Sequence, residues 1–391
     1  MLKNTPFILL CISGLFAIFS STISKSPVLP LFSEHLGATP TGVGIIAGVS
    51  AFAGIIASIP AGIFSDRLGR KRMMVFSAII FSTAPFLYLF VTTIWQLALV
   101  RFYHGFATAI FIPVGMALVA DIFQEDRGER IGWFSTSTLT GRFMAPITGG
   151  SLLGFLSYNP ALSFKAVYLL CGIAGLITLF FIFRLPNPAE KVEIKESKIK
   201  TWMLLKPVIS DKNILLTCIV EASILFAYGT FETFLPLYCK NIGLSAYEIG
   251  VFLSAQIITL ALTKPMMGRL SDRHGRKPQI FVGTIVGSIC IGSFFISKSF
   301  IAFLLLSVLF GLCLSIVTSA TAAFIADLSR QSTRGSAMGT LGSIMDIGHT
   351  TGPIIAGIIA SQFGIGYSFL GASLMLIAIA LLFFKGVISG S

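Results

Sequence analysis

The segment Gly62-Ile-Phe-Ser-Asp66-Arg67-Leu-Gly69-Arg70-Lys71 returns 206 residues later as Gly268-Arg-Leu-Ser-Asp272-Arg273-His-Gly275-Arg276-Lys277. Each copy is a short basic turn between long apolar runs. A period of this kind decides architecture before any local reading. In so hydrophobic a chain it implies two related bundles of membrane helices. The offset holds beyond the turn: Leu29-Pro30-Leu31-Phe32 matches Leu235-Pro236-Leu237-Tyr238, and Gly37, Gly44 and Gly105 match Gly243, Gly250 and Gly311. After a one-residue slip, Gly141-Arg-Phe-Met-Ala145-Pro146 matches Gly348-His-Thr-Thr-Gly352-Pro353. The matches keep their order, so the repeat is parallel, six helices plus six.

Of the 391 residues, 55% are hydrophobic and only 11% charged, where a soluble domain carries about a quarter charged. Lipid is therefore the solvent. At roughly 20 apolar residues per crossing, twelve spans are predicted at 6–32, 41–64, 73–93, 95–121, 132–156, 164–183, 212–238, 247–268, 278–297, 299–327, 335–360 and 367–386. The net charge of +12 follows topology. With the N-terminus inside, Lys165, Lys240 and Lys298 lie outside and Lys25, Arg101, Arg142 and Lys264 lie within spans, leaving 21 of the 28 Lys and Arg on the cytoplasmic side. That is the positive-inside pattern, so no nucleic-acid partner is expected. Both termini are expected in the cytoplasm. Short loops point to the inner membrane of a prokaryote, with a monomer in contact with lipid.

The predicted organisation is all-α: a bundle at 1–185, a charged cytoplasmic linker at 186–211 and a second bundle at 212–391. The first apolar run lacks a cleavage site and its end is duplicated later, so it is not read as a signal peptide. The six cysteines are scattered without CxxC or ligand spacing, which supports neither a disulfide framework nor a metal site. No GxxxxGK[ST] loop is present, so ATP cannot drive this chain. Neither an enzyme activity nor a cofactor is expected.

The turn G-x-x-x-D-R-x-G-R-[RK], placed between the second and third helices and again between the eighth and ninth, resembles the signature loop of the major facilitator superfamily. Arg101-Phe-Tyr-His-Gly105 resembles that family's R-x-x-x-G motif in the fourth helix. Gly141-x-x-x-Ala145-Pro146-x-x-Gly149-Gly150 resembles the G-x-x-x-G-P-x-x-G-G motif of its drug/proton antiporter branch. Ala145 stands where that motif has Gly, and Arg142 places a charge in a usually apolar stretch. The resemblance covers the whole chain and implies twelve helices in two pseudo-repeats, working by alternating access.

The resemblance also implies roles. Gly62, Asp66, Arg67, Gly69 and Arg70, with Gly268, Asp272, Arg273, Gly275 and Arg276, would latch the cytoplasmic helix ends. Asp121 and Asp327, each ending a span, are natural partners for Arg70 and Arg276. The glycines would let helices close in, and the aspartates would cap a helix or pair with the arginine behind them. Gly141, Ala145 and Gly149, four residues apart, make a face that a neighbouring helix can approach. Pro146 removes a backbone hydrogen bond and bends the helix beside Gly150.

Ionisable residues inside spans cost roughly 2.5–3.5 kcal/mol each on insertion scales, so each is expected to be paired or to face water. The first half holds Lys25, Arg101 and Arg142; the second holds Glu221, Glu232, Asp346 and the neighbouring His349. None is repeated: Lys25 matches Phe231, Arg101 matches Ser307, Glu221 matches Leu15 and Glu232 matches Ser26. Glu221 and Glu232 are eleven steps apart, which returns to within about 20° of one helix face some 16 Å along the axis. The framework is duplicated and the charges are not. A carboxylate held away from water is harder to ionise, and can bind a proton on one side and release it on the other. Glu221 is the first candidate for proton coupling, with Asp346 second and Glu232 third. The family's architecture would put Lys25 and Arg101 on the walls of a central substrate cavity. Arg142 and His349 align across the repeat and are candidates for the same cavity. Lys264 beside Pro265 reads as a solvated anchor, and His104 as a packed polar residue.

Proton-coupled efflux of a small amphipathic molecule is the expectation. Import or facilitated movement of an organic anion or sugar metabolite is the alternative. A sensor or scramblase would not need buried carboxylates.

Overall fold

The computed structural model describes residues 5–123, 126–186, 211–329 and 334–388, with the side-chain surroundings of residues 58, 59, 62, 63, 66, 334–340 and 388 also outside the described set. Nearly all of the linker predicted at 186–211 lies outside it too. Among the described residues the chain is helical and contains no strand. The helices are α1 (Thr5–Ile23), α2 (Val28–His35), α3 (Pro40–Leu68), α4 (Arg70–Leu87), α5 (Ile94–Ile122), α6 (Arg127–Phe155) and α7 (Pro160–Phe183), followed by α8 (Lys212–Asn241), α9 (Ala246–His274), α10 (Arg276–Ser293), α11 (Phe300–Leu328), α12 (Arg334–Phe363) and α13 (Ile365–Phe383).

The span predicted at 6–32 is not one helix. It stops at Ile23 and restarts at Val28, with Lys25 in the break. Pro27 has no N–H to continue the ladder and disfavours helical backbone in the residue before it. Counting α1 and α2 as one crossing leaves twelve. Nine of these are long and apolar enough to cross a membrane on length and composition, among the described residues.

Two compact units are formed, one of residues 1–38, 49–195 and 245–254, the other of 39–48, 196–244 and 255–391. Their internal packing follows one plan. In the first, α1 packs on α6 and α7, and α4 on α5 and α7; in the second, α8 packs on α12 and α13, and α10 on α11 and α13. The repeat reaches individual caps. Thr93 accepts from Gln96 N at the start of α5, and Ser299, 206 positions on, accepts from Ala302 N at the start of α11. Each such bond satisfies a donor that the first helical turn leaves free.

The two cores differ where the sequence departs from the repeat. In the second unit Phe231 packs against Phe294 and Phe310, with ring centroids 5.3 and 5.2 Å away. The matching positions of the first unit are Lys25, Tyr88 and His104.

Candidate functional site

The charged turns show how local sequence sets side-chain geometry. Gly69 (φ 93°) and Gly275 (φ 89°) take backbone conformations that favour glycine, and this allows α4 and α10 to start immediately. The next residue is then aimed in the same way in both copies. Arg70 Nε donates to Asp121 Oδ2 at 3.1 Å and its Nη1 donates to Ser65 Oγ at 2.6 Å. Arg276 Nε donates to Asp327 Oδ2 at 3.0 Å and its Nη1 donates to Ser271 Oγ at 3.1 Å. Asp272 also pairs with Arg276, one turn away. Lys71 Nζ reaches the Leu185 carbonyl, and Lys277 Nζ reaches that of Val387. Each cluster lies inside its own unit.

Arg67 and Arg273 are exposed. A Cβ added to Gly268 would meet no atom of the described residues within 4 Å. Gly268 lies on α9 near exposed Met266 and Arg269. Ser65 and Ser271 were not singled out from sequence, although their identity in both copies of the turn was a signal.

The glycine motif of α6 is a packing device. A Cβ on Gly141 would lie 2.2 Å from the Leu15 carbonyl oxygen of α1, so the two backbones touch there. Ala145 is fully buried, and Gly149 faces Ile23 and Val28. Gly150 opposes the Ala246 carbonyl oxygen of α9, whose first turns belong to the same unit. Pro146 lies within α6, and its carbonyl oxygen opposes Gly250. In the second unit a Cβ on Gly348 or Gly352 would overlap the Ala222 or Phe226 carbonyl oxygen of α8, so these backbones touch as well. The two seams, α1 with α6 and α8 with α12, are therefore counterparts.

Arg101 is turned into the first unit, with 2% of its surface exposed. Its Nη1 donates to Ser24 Oγ and Tyr88 Oη, both at 3.4 Å. Tyr88 stacks on Tyr168 with centroids 4.3 Å apart, and its hydroxyl lies 3.4 Å from His104 Nδ1. No carboxylate pairs with Arg101 among the described residues. Arg101 is thus enclosed by hydroxyls and rings. Lys25, in the break after α1, is half-buried, while Arg142 is exposed on α6. Lys264 is exposed on α9.

The second seam gathers the remaining groups. Glu221 on α8 is 1% exposed and accepts a 2.5 Å hydrogen bond from Thr321 Oγ1 of α11. The sequence reading missed Thr321, whose match in the first half is Gly115. Glu232, two helical turns from the end of α8, is 7% exposed, and its Oε2 lies 3.2 Å from His349 Nε2 of α12. The ring of Tyr228 covers His349 at 5.3 Å. Asp346, one turn before His349, is half-buried, and its carboxylate has no hydrogen-bond or ionic partner among the described residues. The structure thus brings His349 to Glu232. Buried carboxylates bonded to a hydroxyl or an imidazole can take up and give back protons, which a permanently paired carboxylate does not do readily.

The family model described as Major Facilitator Superfamily matches residues 10–260 and 240–388. Multidrug resistance protein MdtG of Salmonella paratyphi C is 28% identical, over 86% of this chain and 84% of its own length. A multi-drug resistance efflux pump PmrA homolog of Lactococcus lactis is 26% identical, over 93% and 90%. An uncharacterised MFS-type transporter of Methanocaldococcus jannaschii is 25% identical, over 87% of each. Among solved structures, a bacterial homologue of the human lysosomal transporter Spinster superposes with a TM-score of 0.82 at 16% identity, covering 97% of this chain and 96% of its own. A mutant of the nucleoside transporter NupG gives 0.83 at 15% identity, covering 99% and 100%.

Proposed function

This chain belongs to the Major Facilitator Superfamily, and from that premise we propose a proton-coupled exporter of small amphipathic molecules. It works by alternating access of the bundles 1–185 and 212–391, joined by 186–211, in an inner membrane with both termini in the cytoplasm. The efflux half of this reading is supported by the names of two relatives, at 28% and 26% identity. The proton half rests on one observation. Glu221 is enclosed in a span where the sister position is Leu15, and only Thr321 hydrogen-bonds to it among the described residues. Placing a carboxylate there costs roughly 2.5–3.5 kcal/mol on insertion scales, and a task is the ordinary reason for keeping it.

In this scheme Glu221, Asp346 and Glu232 exchange protons, and the two arginine–aspartate clusters hold the cytoplasmic helix ends in one state of the cycle. The glycines of α6 keep its helix pair closed against leak. Lys25, Arg101, Arg142 and His349 favour an anionic or zwitterionic group on the cargo.

The test uses the full-length protein in liposomes with anilinonaphthalene sulfonate and other anionic or zwitterionic fluorescent amphipaths under an imposed pH difference. Glu221→Gln should lower gradient-driven movement about a hundredfold, the scale of a lost proton-transfer group, while exchange between equal solutions persists. Undiminished gradient-driven movement in that variant removes Glu221 from the proton role. A second reading, import of an organic anion or sugar metabolite, is favoured by Ala145 in the antiporter motif. The direction in which an imposed proton gradient drives a panel of organic anions and sugars separates the two.

A further inference from the structure

Four ionisable side chains lie along one helix seam of the second unit: Glu221 and Glu232 on α8, Asp346 and His349 on α12. The backbones touch at Gly348 and Gly352, so residues flanking that line are held beside the partner helix. The two glutamates share a face and are separated by about 16 Å along the axis. Glu232 is bonded to His349 at 3.2 Å, and Asp346 sits one turn nearer the start of α12.

The surroundings of each group differ. Thr321 of α11 bonds to Glu221, Cys218 lies one turn before it on α8, and the charge of Lys264 on α9 reaches it. Tyr228 packs on His349. The sister seam has the same backbone contact but carries Leu15, Ser26, Leu139 and Arg142 at the matching positions. Packing alone therefore does not require these acids.

We propose that the α8–α12 seam is a proton path with three stations, contained within the second unit. The Glu232–His349 pair takes a proton from the extracytoplasmic side, Asp346 passes it on, and Glu221 releases it towards the cytoplasm. At each step one O–H or N–H bond breaks as one O–H bond forms on the next carboxylate, directly or through a water molecule. His349 is the positioning residue of the outer station. The inward direction rests on the exporter reading above; the three stations do not.

Proton binding is read without any cargo, from infrared difference spectra between acid and alkaline pH of the full-length protein in liposomes. The wild type should show carboxylic acid C=O bands that Glu221→Gln, Asp346→Asn and Glu232→Gln each reduce by one component. His349→Gln should shift the Glu232 component and leave that of Glu221 in place. Asp346→Asn should keep both end components yet cut anilinonaphthalene sulfonate movement driven by a proton gradient about a hundredfold. His349→Lys, which keeps a donor beside Glu232, should return the Glu232 component towards its original position. Unchanged spectra in His349→Gln, or full gradient-driven transport in Asp346→Asn, would overturn the path. Should anilinonaphthalene sulfonate and the other anionic or zwitterionic amphipaths all ignore the gradient even in wild type, the exporter reading fails, and the band assignments still decide the stations.

Discussion

The two basic turns and the two helix seams are both products of the same internal duplication, and they have since diverged to very different degrees. Around the turns the copies agree atom by atom: Arg70 to Asp121 and Ser65 in one, Arg276 to Asp327 and Ser271 in the other. Along the seams the backbone agrees, with Gly141 and Gly348 each set against a carbonyl oxygen so closely that a Cβ would overlap it, while the side chains do not. One seam carries Glu221, Glu232, Asp346 and His349; the other carries Leu15, Ser26, Leu139 and Arg142. Parts that must do the same mechanical task twice stay alike, whereas a chemical task needed once is kept in one copy.

Three measurements would break or sharpen that contrast. The largest effect is expected at the shared backbone contact. Gly141→Val and Gly348→Val should both destabilise the protein by several kcal/mol, beyond the ~1–3 kcal/mol typical of overpacking, because each Cβ meets backbone that cannot move aside. A thermal melt of each variant in detergent checks this, and a large drop for one with none for the other would refute the equivalence of the seams. Next is Thr321→Val, which removes the hydrogen bond to Glu221 and leaves a buried acceptor unmet, costing about 1–3 kcal/mol. Gradient-driven transport should fall while Gly115→Ser, at the sister position, changes coupling little. The smallest effect belongs to the turns. Asp121→Asn and Asp327→Asn break half-exposed ion pairs worth about 0–1 kcal/mol. Each should slow cycling by no more than severalfold, by similar amounts, with the difference from wild type shrinking at high salt. Strongly unequal slowing would show that the two turns do separate jobs.

The legible part of the structure is the part written twice. The offset of 206 led to the helix count, the turns and the partners of Arg70 and Arg276, because spacing along two adjacent helices determines which ends meet. Pairs that depend on helix rotation were not legible. Whether Glu232 meets His349 or open lipid turns on how α12 is rolled against α8, and the positions of Gly348 and Gly352 settle that only once the backbones are in place. Arg101 shows the same limit: its height in the span followed from sequence, but the side it faces is set by Tyr88, Tyr168 and Ser24, brought together from three other segments. The break at Pro27 was readable in principle, since proline stops a helix ladder, but continuous hydrophobicity concealed it.

The exchange of residues 65–71 with 271–277 has a practical meaning. Both segments turn through a glycine of positive φ and deliver an arginine to an aspartate 51 positions further on, so they are interchangeable modules. A gene with the two swapped should still yield folded protein. Unequal recombination between them, in contrast, would delete or double six crossings at a stroke, the kind of event from which such a chain can itself have grown.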